Sequence, residues 1–156
     1  MRIALLAFIL SFNLYAFEEC QHLIEECAYY ACVEGIKKCG ERKYFIGFGL
    51  KYCNSFDFRS AKFSEEGKLW LDDVKSCLIE SIDSLDESLS CRKLKKASIS
   101  SHVNCYVKSG YCNLSFRDKK EVIKTIKGAL WRPSILRAGL KINFKCGKVE
   151  ELPFAQ

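Results

Sequence analysis

The chain has 156 residues, of which 49% are hydrophobic and 28% are charged, and its formal net charge is +6. After its first residues it contains no apolar stretch long and uncharged enough to span a membrane, which excludes a protein built from membrane-spanning helices. Ten cysteines in so short a chain are typical of a disulfide framework in an oxidising compartment rather than of a set of reactive thiols.

The first sixteen residues have the pattern of a secretory leader. Met1 and Arg2 give a short positive start, residues 3–14 are almost wholly apolar, and Ala16 offers a small residue at a cleavage point. We therefore predict a signal peptide at residues 1–16 and a domain at residues 17–156, exported to the extracellular space or, in a bacterium, to the periplasm. The alternative is an N-terminal membrane anchor, which the short apolar run disfavours because a span takes about 20 residues.

Helical periodicity begins directly after the leader. Residues 18–31 place apolar and cysteine side chains at 3.6-residue spacing, which predicts a first helix. A second helical segment is expected through Cys39. A third is expected near residues 43–56, where Gly47 and Gly49 weaken the pattern.

The clearest helix signal begins at Ser64. This residue can cap a helix whose first turn contains Glu65 and Glu66 and whose apolar face runs to Ile82. Another helix is expected at residues 92–108. A further one is expected to start at Ser115, where Asp118 three residues on forms a variant of the capping box. Its apolar stripe is Val122, Ile123, Ile126 and Leu130.

Proline and the chain end complete the pattern. Pro133 is expected to end or redirect the helix that starts at Ser115, and residues beyond Cys146 are expected to form a short tail. No repeat or linker is apparent. The sequence therefore predicts one all-α, disulfide-rich helical domain.

Charge is divided unevenly along the chain. Residues 17–90 contain 9 Lys or Arg against 15 Asp or Glu, whereas residues 91–148 contain 15 against 2. A basic half of this kind predicts salt-dependent attraction to acidic partners such as anionic lipid or glycan. The plain alternative is a solvated face that aids solubility. The candidate basic patch comprises Arg92, Lys93, Lys95, Lys96, Lys119, Lys120, Lys124 and Lys127.

Several chemical functions find little support in the residues. Cys27 and Cys32 have zinc-like spacing, but no second pair matches it, so we expect no metal and no cofactor. His102 is the one candidate base in the helical region, and it follows Ser100 and Ser101 without a recognisable hydrolase signature. It also lacks the adjacent aspartate and the calcium loop of a small secreted phospholipase. We therefore expect no enzyme. The lysines lack interleaved aromatic residues, so nucleic acid is not an expected partner.

One modification site is present. Residues 113–115 read Asn-Leu-Ser, an acceptor for N-glycosylation at Asn113 if the chain is exported by a eukaryote.

The cysteine order and the words around it resemble one family. Residues 52–56 read YCNSF, residues 60–68 read SAKFSEEGK, and residues 75–78 read KSCL. Further on, residues 104–108 read NCYVK, and Cys112 follows seven residues after Cys105. From Cys20 to Cys146 this pattern is similar to the stanniocalcins, which are secreted helical glycoprotein hormones rich in disulfides. A saposin-like fold is the more distant alternative, since its cysteine rhythm differs.

The resemblance implies a pairing that the sequence alone leaves open. Ten cysteines allow about 945 pairings. Carried over position by position, the family pattern implies the bonds Cys20–Cys32, Cys27–Cys53, Cys39–Cys91, Cys77–Cys105 and Cys112–Cys146.

The resemblance also implies a function through binding. Calcium and phosphate regulation, or inhibition of a secreted metalloprotease, are the roles it implies, with another secreted or cell-surface protein as partner. The family's eleventh, chain-linking cysteine and the sequon between its third and fourth cysteines are missing here. A covalent dimer is therefore not implied, and a noncovalent homodimer is left open as an alternative.

Overall fold

A computed structural model describes residues 17–150, with side chains described to residue 147. The predicted signal peptide and residues 151–156 of the predicted domain lie outside the described residues. The all-α class is confirmed, since no strand occurs between residues 17 and 150. The α-helices are α1 (Ala28–Lys37), α2 (Lys51–Arg59), α3 (Glu65–Asp83), α4 (Cys91–Lys108), α5 (Phe116–Ile126) and α6 (Pro133–Glu150).

The first predicted helix is broken in two. A 3-10 turn covers Glu18–Leu23, and α1 begins only at Ala28. The disulfide between Cys20 and Cys32 explains the break, because it brings their Cα atoms to 5.8 Å. In a continuous helix, twelve residues rise about 18 Å along the axis. The chain must therefore fold back between these two cysteines.

The glycine-containing segment is helical, but it begins as a π-helical turn, Phe45–Leu50, that runs directly into α2. A Cβ added to Gly47 would meet the carbonyl oxygen of Arg42 at 2.8 Å, and one added to Gly49 would collide with the ring of Tyr30. The two glycines thus allow close approach between this segment and its neighbours.

One buried carboxylate joins the starts of α3 and α5. The predicted caps are confirmed, since Ser64 Oγ accepts from Gly67 N and Ser115 Oγ accepts from Asp118 N, each at 3.1 Å. Asp118 then accepts from Ser64 N at 2.9 Å and from both serine hydroxyls at 2.7 Å. Burial acts to raise the pKa of Asp118, but these hydrogen bonds and the charge of Arg117 outweigh it and hold the pKa below its usual value.

The helix predicted at residues 92–108 is present as α4, which packs against α3 and α6. It runs antiparallel to α3. Trp70, near the start of α3, approaches Tyr106 near the end of α4, whereas Ser81 Oγ, later in α3, donates to Ser101 Oγ, which is earlier in α4. The bond between Cys77 and Cys105 fixes this pairing.

The expectations after Ser115 are partly wrong. In the predicted stripe Val122 is buried, but Ile123 is exposed. Pro133 does not end α5, which stops at Ile126; it is the first residue of α6, where its missing N–H costs no hydrogen bond and its fixed φ suits a helix. The predicted tail beyond Cys146 is also helical as far as Glu150.

Two apolar clusters form the interior. The first gathers aromatic side chains of α1 and the π-helical turn, such as Tyr29 and Phe45, with Ile79, Ile82 and Leu94. Tyr29 Oη donates to Asp83 Oδ1 at 2.8 Å, so this buried polar pair is satisfied. The second cluster surrounds Trp70 and includes Phe63, Tyr106, Val122 and Ile142.

All ten cysteines are paired. The structure contains the five pairs that the resemblance implies, closing loops of 12 to 52 residues in sequence separation: Cys20–Cys32, Cys27–Cys53, Cys39–Cys91, Cys77–Cys105 and Cys112–Cys146. Together they connect the 3-10 turn Glu18–Leu23 to α1, the residue before α1 to α2, the segment after α1 to α4, α3 to α4, and the turn after α4 to α6. Among the described helices, none combines the length and apolar character that a membrane crossing requires.

Candidate interaction surface

The predicted basic residues divide between two helices. Arg92, Lys93, Lys95 and Lys96 are all exposed on the N-terminal half of α4, and none forms an ion pair with a carboxylate of residues 17–147. The remaining four belong to α5 and the turn after it, and α5 packs against α2. The predicted patch is therefore not carried by one element.

The α5 cations have more contacts than their α4 counterparts. Lys119 Nζ donates to the carbonyl of Cys112 at 2.7 Å and lies 5.9 Å from the centre of the Tyr111 ring. Lys124 pairs with Glu121 at 2.5 Å, while Lys120 and Lys127 are exposed. The α4 group is thus the more available of the two for an acidic partner.

The most distinctive surface lies on α6, a helix that is absent from the elements predicted from the sequence. Ile135, Ala138 and Ile142 are buried and attach this helix to the interior. A second row, Leu136, Leu140 and Phe144, is 52%, 61% and 67% exposed. Four-residue spacing places these three side chains one above another on the outer face of the helix.

A row of cations runs beside the exposed apolar row. Arg137, Lys141 and Lys145 follow at the same spacing, each one residue further on, and all three are exposed. Lys145 Nζ donates to Asn104 Oδ1 of α4 at 2.8 Å. Trp131, 90% exposed, precedes the helix. We define the α6 face as these seven residues: Trp131, Leu136, Arg137, Leu140, Lys141, Phe144 and Lys145.

Other exposed apolar side chains are scattered. Phe58 lies on α2, Leu69 on α3, and Phe116 and Ile123 on α5, so none of these helices exposes more than two of them. Single exposed apolar residues are ordinary on protein surfaces, whereas grouped ones mark contact sites. The α6 face is therefore the strongest candidate among the described residues for binding a partner.

The signal for α6 was present in the sequence. Ile135, Ala138, Ile142 and Cys146 recur at spacings of three, four and four, which is the periodicity of a helix with one buried face. Pro133 fits the first position of such a helix. The same helical periodicity places Leu136, Leu140 and Phe144 together on a second face of this helix.

His102 is packed among backbone and aromatic groups of the helical domain. The ring is half-buried, its Nδ1 lies 2.6 Å from the carbonyl oxygen of Ser98, and its centre lies 5.7 Å from that of Phe48. Burial lowers the pKa of His102, so the neutral form is favoured. No hydroxyl or thiol nucleophile within residues 17–147 hydrogen bonds to the ring, so no nucleophile–base pair forms there.

One group of potential metal ligands exists in the described part of the chain: Cys27, Cys53 and Asp57. Both sulfur atoms belong to one disulfide, so they cannot act as thiolate ligands. Asp57 Oδ2 lies 3.2 Å from Cys27 Sγ, which has no proton to donate, and Asp57 Oδ1 lies 3.4 Å from Lys75 Nζ. The disulfide and the lysine account for the cluster without an ion.

Asn113 is exposed at the end of a 3-10 turn, Tyr111–Asn113, next to the disulfide-bonded Cys112. The hydroxyl of Ser115, the third residue of the sequon, is hydrogen-bonded to Asp118 in the α5 cap. Glycosylation at Asn113 stays a prediction.

Comparison with known proteins gave no relative. The chain matches no protein-family model, no curated protein and no solved structure.

Proposed function

We propose that this chain is an exported, non-enzymatic binding protein, similar to the stanniocalcins, that contacts another secreted or cell-surface protein through the α6 face. The observation that carries the proposal is the exposed row of Leu136, Leu140 and Phe144. Contact of these apolar side chains with water is unfavourable, and a partner that covers them gains free energy by removing them from water. Cations beside the row would set the orientation of an acidic partner.

The disulfide pattern supports the similarity and the export. Ten cysteines allow about 945 pairings. The five bonds in the structure are those of the single pairing that the resemblance implies. Disulfides at this density are typical of proteins that fold in oxidising compartments. By the same similarity, the biological roles to be tested first are regulation of calcium and phosphate and inhibition of a secreted metalloprotease.

Full pairing of the cysteines bears on how a partner would be held. None of the ten is free, so a mixed disulfide with a partner would require an internal bond to open first. The proposed contact is therefore noncovalent. A second copy of the chain, forming a noncovalent homodimer, is one such partner.

Capture with matched variants tests this function. Wild-type protein, L136E/L140E and L69E would each be used to retain partners from the natural extracellular medium. Leu69 is the control because it is 67% exposed but lies on α3. We expect one set of proteins to be retained by the wild type and by L69E and lost with L136E/L140E. Equal retention by all three would contradict the proposal. Sedimentation velocity of the wild-type protein shows whether the partner is a second copy of the chain.

A second candidate function is electrostatic binding to anionic lipid or glycan. The exposed residues Arg92, Lys93, Lys95 and Lys96 favour it, since none of them forms an ion pair with a carboxylate of residues 17–147. On this account binding falls steeply with salt and is lost when Lys95 and Lys96 are both changed to glutamate. Binding that survives high ionic strength and K95E/K96E would exclude this alternative.

A further inference from the structure

A cleft of about 480 Å³ lies where three separate parts of the chain meet. Arg42 and Lys43 line it from the segment before the π-helical turn, Lys95 from α4, and Arg132 from the residue before α6. Sequence proximity cannot explain this grouping, because these positions are spread over 90 residues of the chain. Folding brings the four cations to one cavity.

The cleft has no internal counter-charge. No aspartate or glutamate is among the residues that line it, and none of the four cations forms an ion pair within the described part of the chain. The nearest carboxylate in sequence, Glu41, lines a different groove. Like charges around one concave surface raise its positive potential, and a bound anion lowers that energy.

Other features of the cleft favour an anion that accepts hydrogen bonds. The Arg132 guanidinium lies 5.7 Å from the centre of the Phe48 ring, a cation–π contact that helps to position it. Pro133 and Ser134, the first residues of the 18-residue helix α6, also line the cleft. The positive end of that helix dipole and the Ser134 hydroxyl add to the cations.

We propose that this cleft binds a tetrahedral oxyanion, sulfate or phosphate, either free or as the terminal ester of a larger ligand. Guanidinium groups bind such anions through two parallel hydrogen bonds, and lysines add point charge. Trp131, 90% exposed, also lines the cleft and can stack on the organic part of an ester. The cleft shares Trp131 with the α6 face but none of the apolar row Leu136, Leu140 and Phe144 that carries the proposed function, so each proposal can fail without the other.

Titration calorimetry on the full protein tests the site with three probes: inorganic sulfate, inorganic phosphate and glycerol 3-phosphate. Ionic strength is kept constant with chloride. The cleft variants are K95Q and R132Q, and the matched controls are K93Q and R92Q, which neutralise exposed cations of α4 outside the cleft. All four positions are exposed, so circular dichroism should show unchanged folding.

We expect one anion per chain, bound about tenfold more weakly by K95Q and by R132Q and within about twofold of wild type by the controls. Tighter binding of glycerol 3-phosphate than of inorganic phosphate would identify an ester as the ligand. Equal binding would identify the free anion. Trp131 fluorescence should respond in parallel, with buried Trp70 constant.

Two results would overturn the proposal. One is the absence of binding for all three probes. The other is equal weakening by cleft and control variants, which would show only a diffuse positive field. Both leave the α6 face to be judged by its own capture experiment.

Discussion

Helices α3 and α6 have nearly the same length, 19 and 18 residues, but they use their surfaces differently. Helix α3 has a serine cap and two acidic residues in its first turn, and it buries large side chains such as Trp70 and Ile82. From Pro133 to Gly147, α6 buries the smaller set Ile135, Ala138 and Ile142 and exposes a second apolar row beside cations. Helix α3 therefore stabilises the interior of the protein, whereas α6 has the surface that we propose for contact with a partner.

The two tryptophans should separate these roles most sharply. Trp70 is 2% exposed and packs edge-on to Tyr106 with ring centres 5.2 Å apart, so Trp70→Ala should destabilise the fold by about 3–5 kcal/mol. Trp131→Ala should change stability by less than about 0.5 kcal/mol. Guanidinium unfolding followed by circular dichroism measures both. Similar losses of stability in the two variants would contradict the difference between a buried α3 and an exposed α6 surface.

Removing a disulfide from each helix gives the next largest contrast. Cys77–Cys105 and Cys112–Cys146 close loops of 28 and 34 residues, so the chain-entropy model gives each about 3–4 kcal/mol. We expect C77A/C105A to lower the global free energy of unfolding, because Cys105 and the surrounding cluster are buried. Cys112–Cys146 joins only the turn after α4 to α6, so its contribution should act on the local opening of α6, and C112A/C146A should speed amide exchange mainly within that helix. Exchange that spreads through α3 and α4 in the second variant would contradict this difference.

Asp118 offers a smaller effect that belongs to the α3 side of the comparison. In Asp118→Asn an amide NH₂ replaces one acceptor oxygen that now receives hydrogen bonds from Ser64 or Ser115. We expect a loss of about 2–3 kcal/mol, because part-buried hydrogen bonds to a charged, buried acceptor are lost and their donors are left without a partner. Chemical unfolding at neutral pH measures it. The variant Ser88→Ala, at an exposed position in the α3–α4 loop, is the control and should be near neutral.

The same carboxylate predicts a pH dependence. The pKa of Asp118 is lower in the folded protein than in the unfolded chain, so its contribution is complete above the unfolded value of about 3.9. It is lost as the pH falls through the lower, folded value, because the unfolded chain binds the proton first. Wild-type stability should therefore drop below about pH 4 more steeply than that of Asp118→Asn. If the free energies of unfolding of the wild type and of Asp118→Asn changed in parallel with pH, the pKa of Asp118 would not differ between the folded and unfolded states.

The sequence predicted the capped helices well because their signals are local. Ser64 and Ser115 cap where expected, since a hydroxyl three residues before a free N–H is a property of neighbouring residues. The carboxylate of Asp118 was assigned to its own helix only, because its bonds to Ser64 cross 54 residues of chain. Long-range contacts of this kind leave no local pattern.

Two failures have a different cause. The helix predicted at residues 18–31 ignored the geometry that a bond between Cys20 and Cys32 requires. Pro133 was interpreted as a stop although proline is equally suited to a first helical position, and α6 with its exposed face was lost as a result. Only Lys95 of the four cleft cations was in the predicted basic patch, because the fold rather than the sequence groups them.

Photo-crosslinking from two matched leucines shows whether a bound partner contacts α6. Leu140 on α6 and Leu69 on α3 are 61% and 67% exposed, so a photoreactive residue at either position should leave stability nearly unchanged. In the complex captured from the natural medium, we expect a crosslink to the partner from position 140 and none from position 69. A crosslink from position 69 alone, or from neither position in a complex shown to be intact, would contradict this expectation.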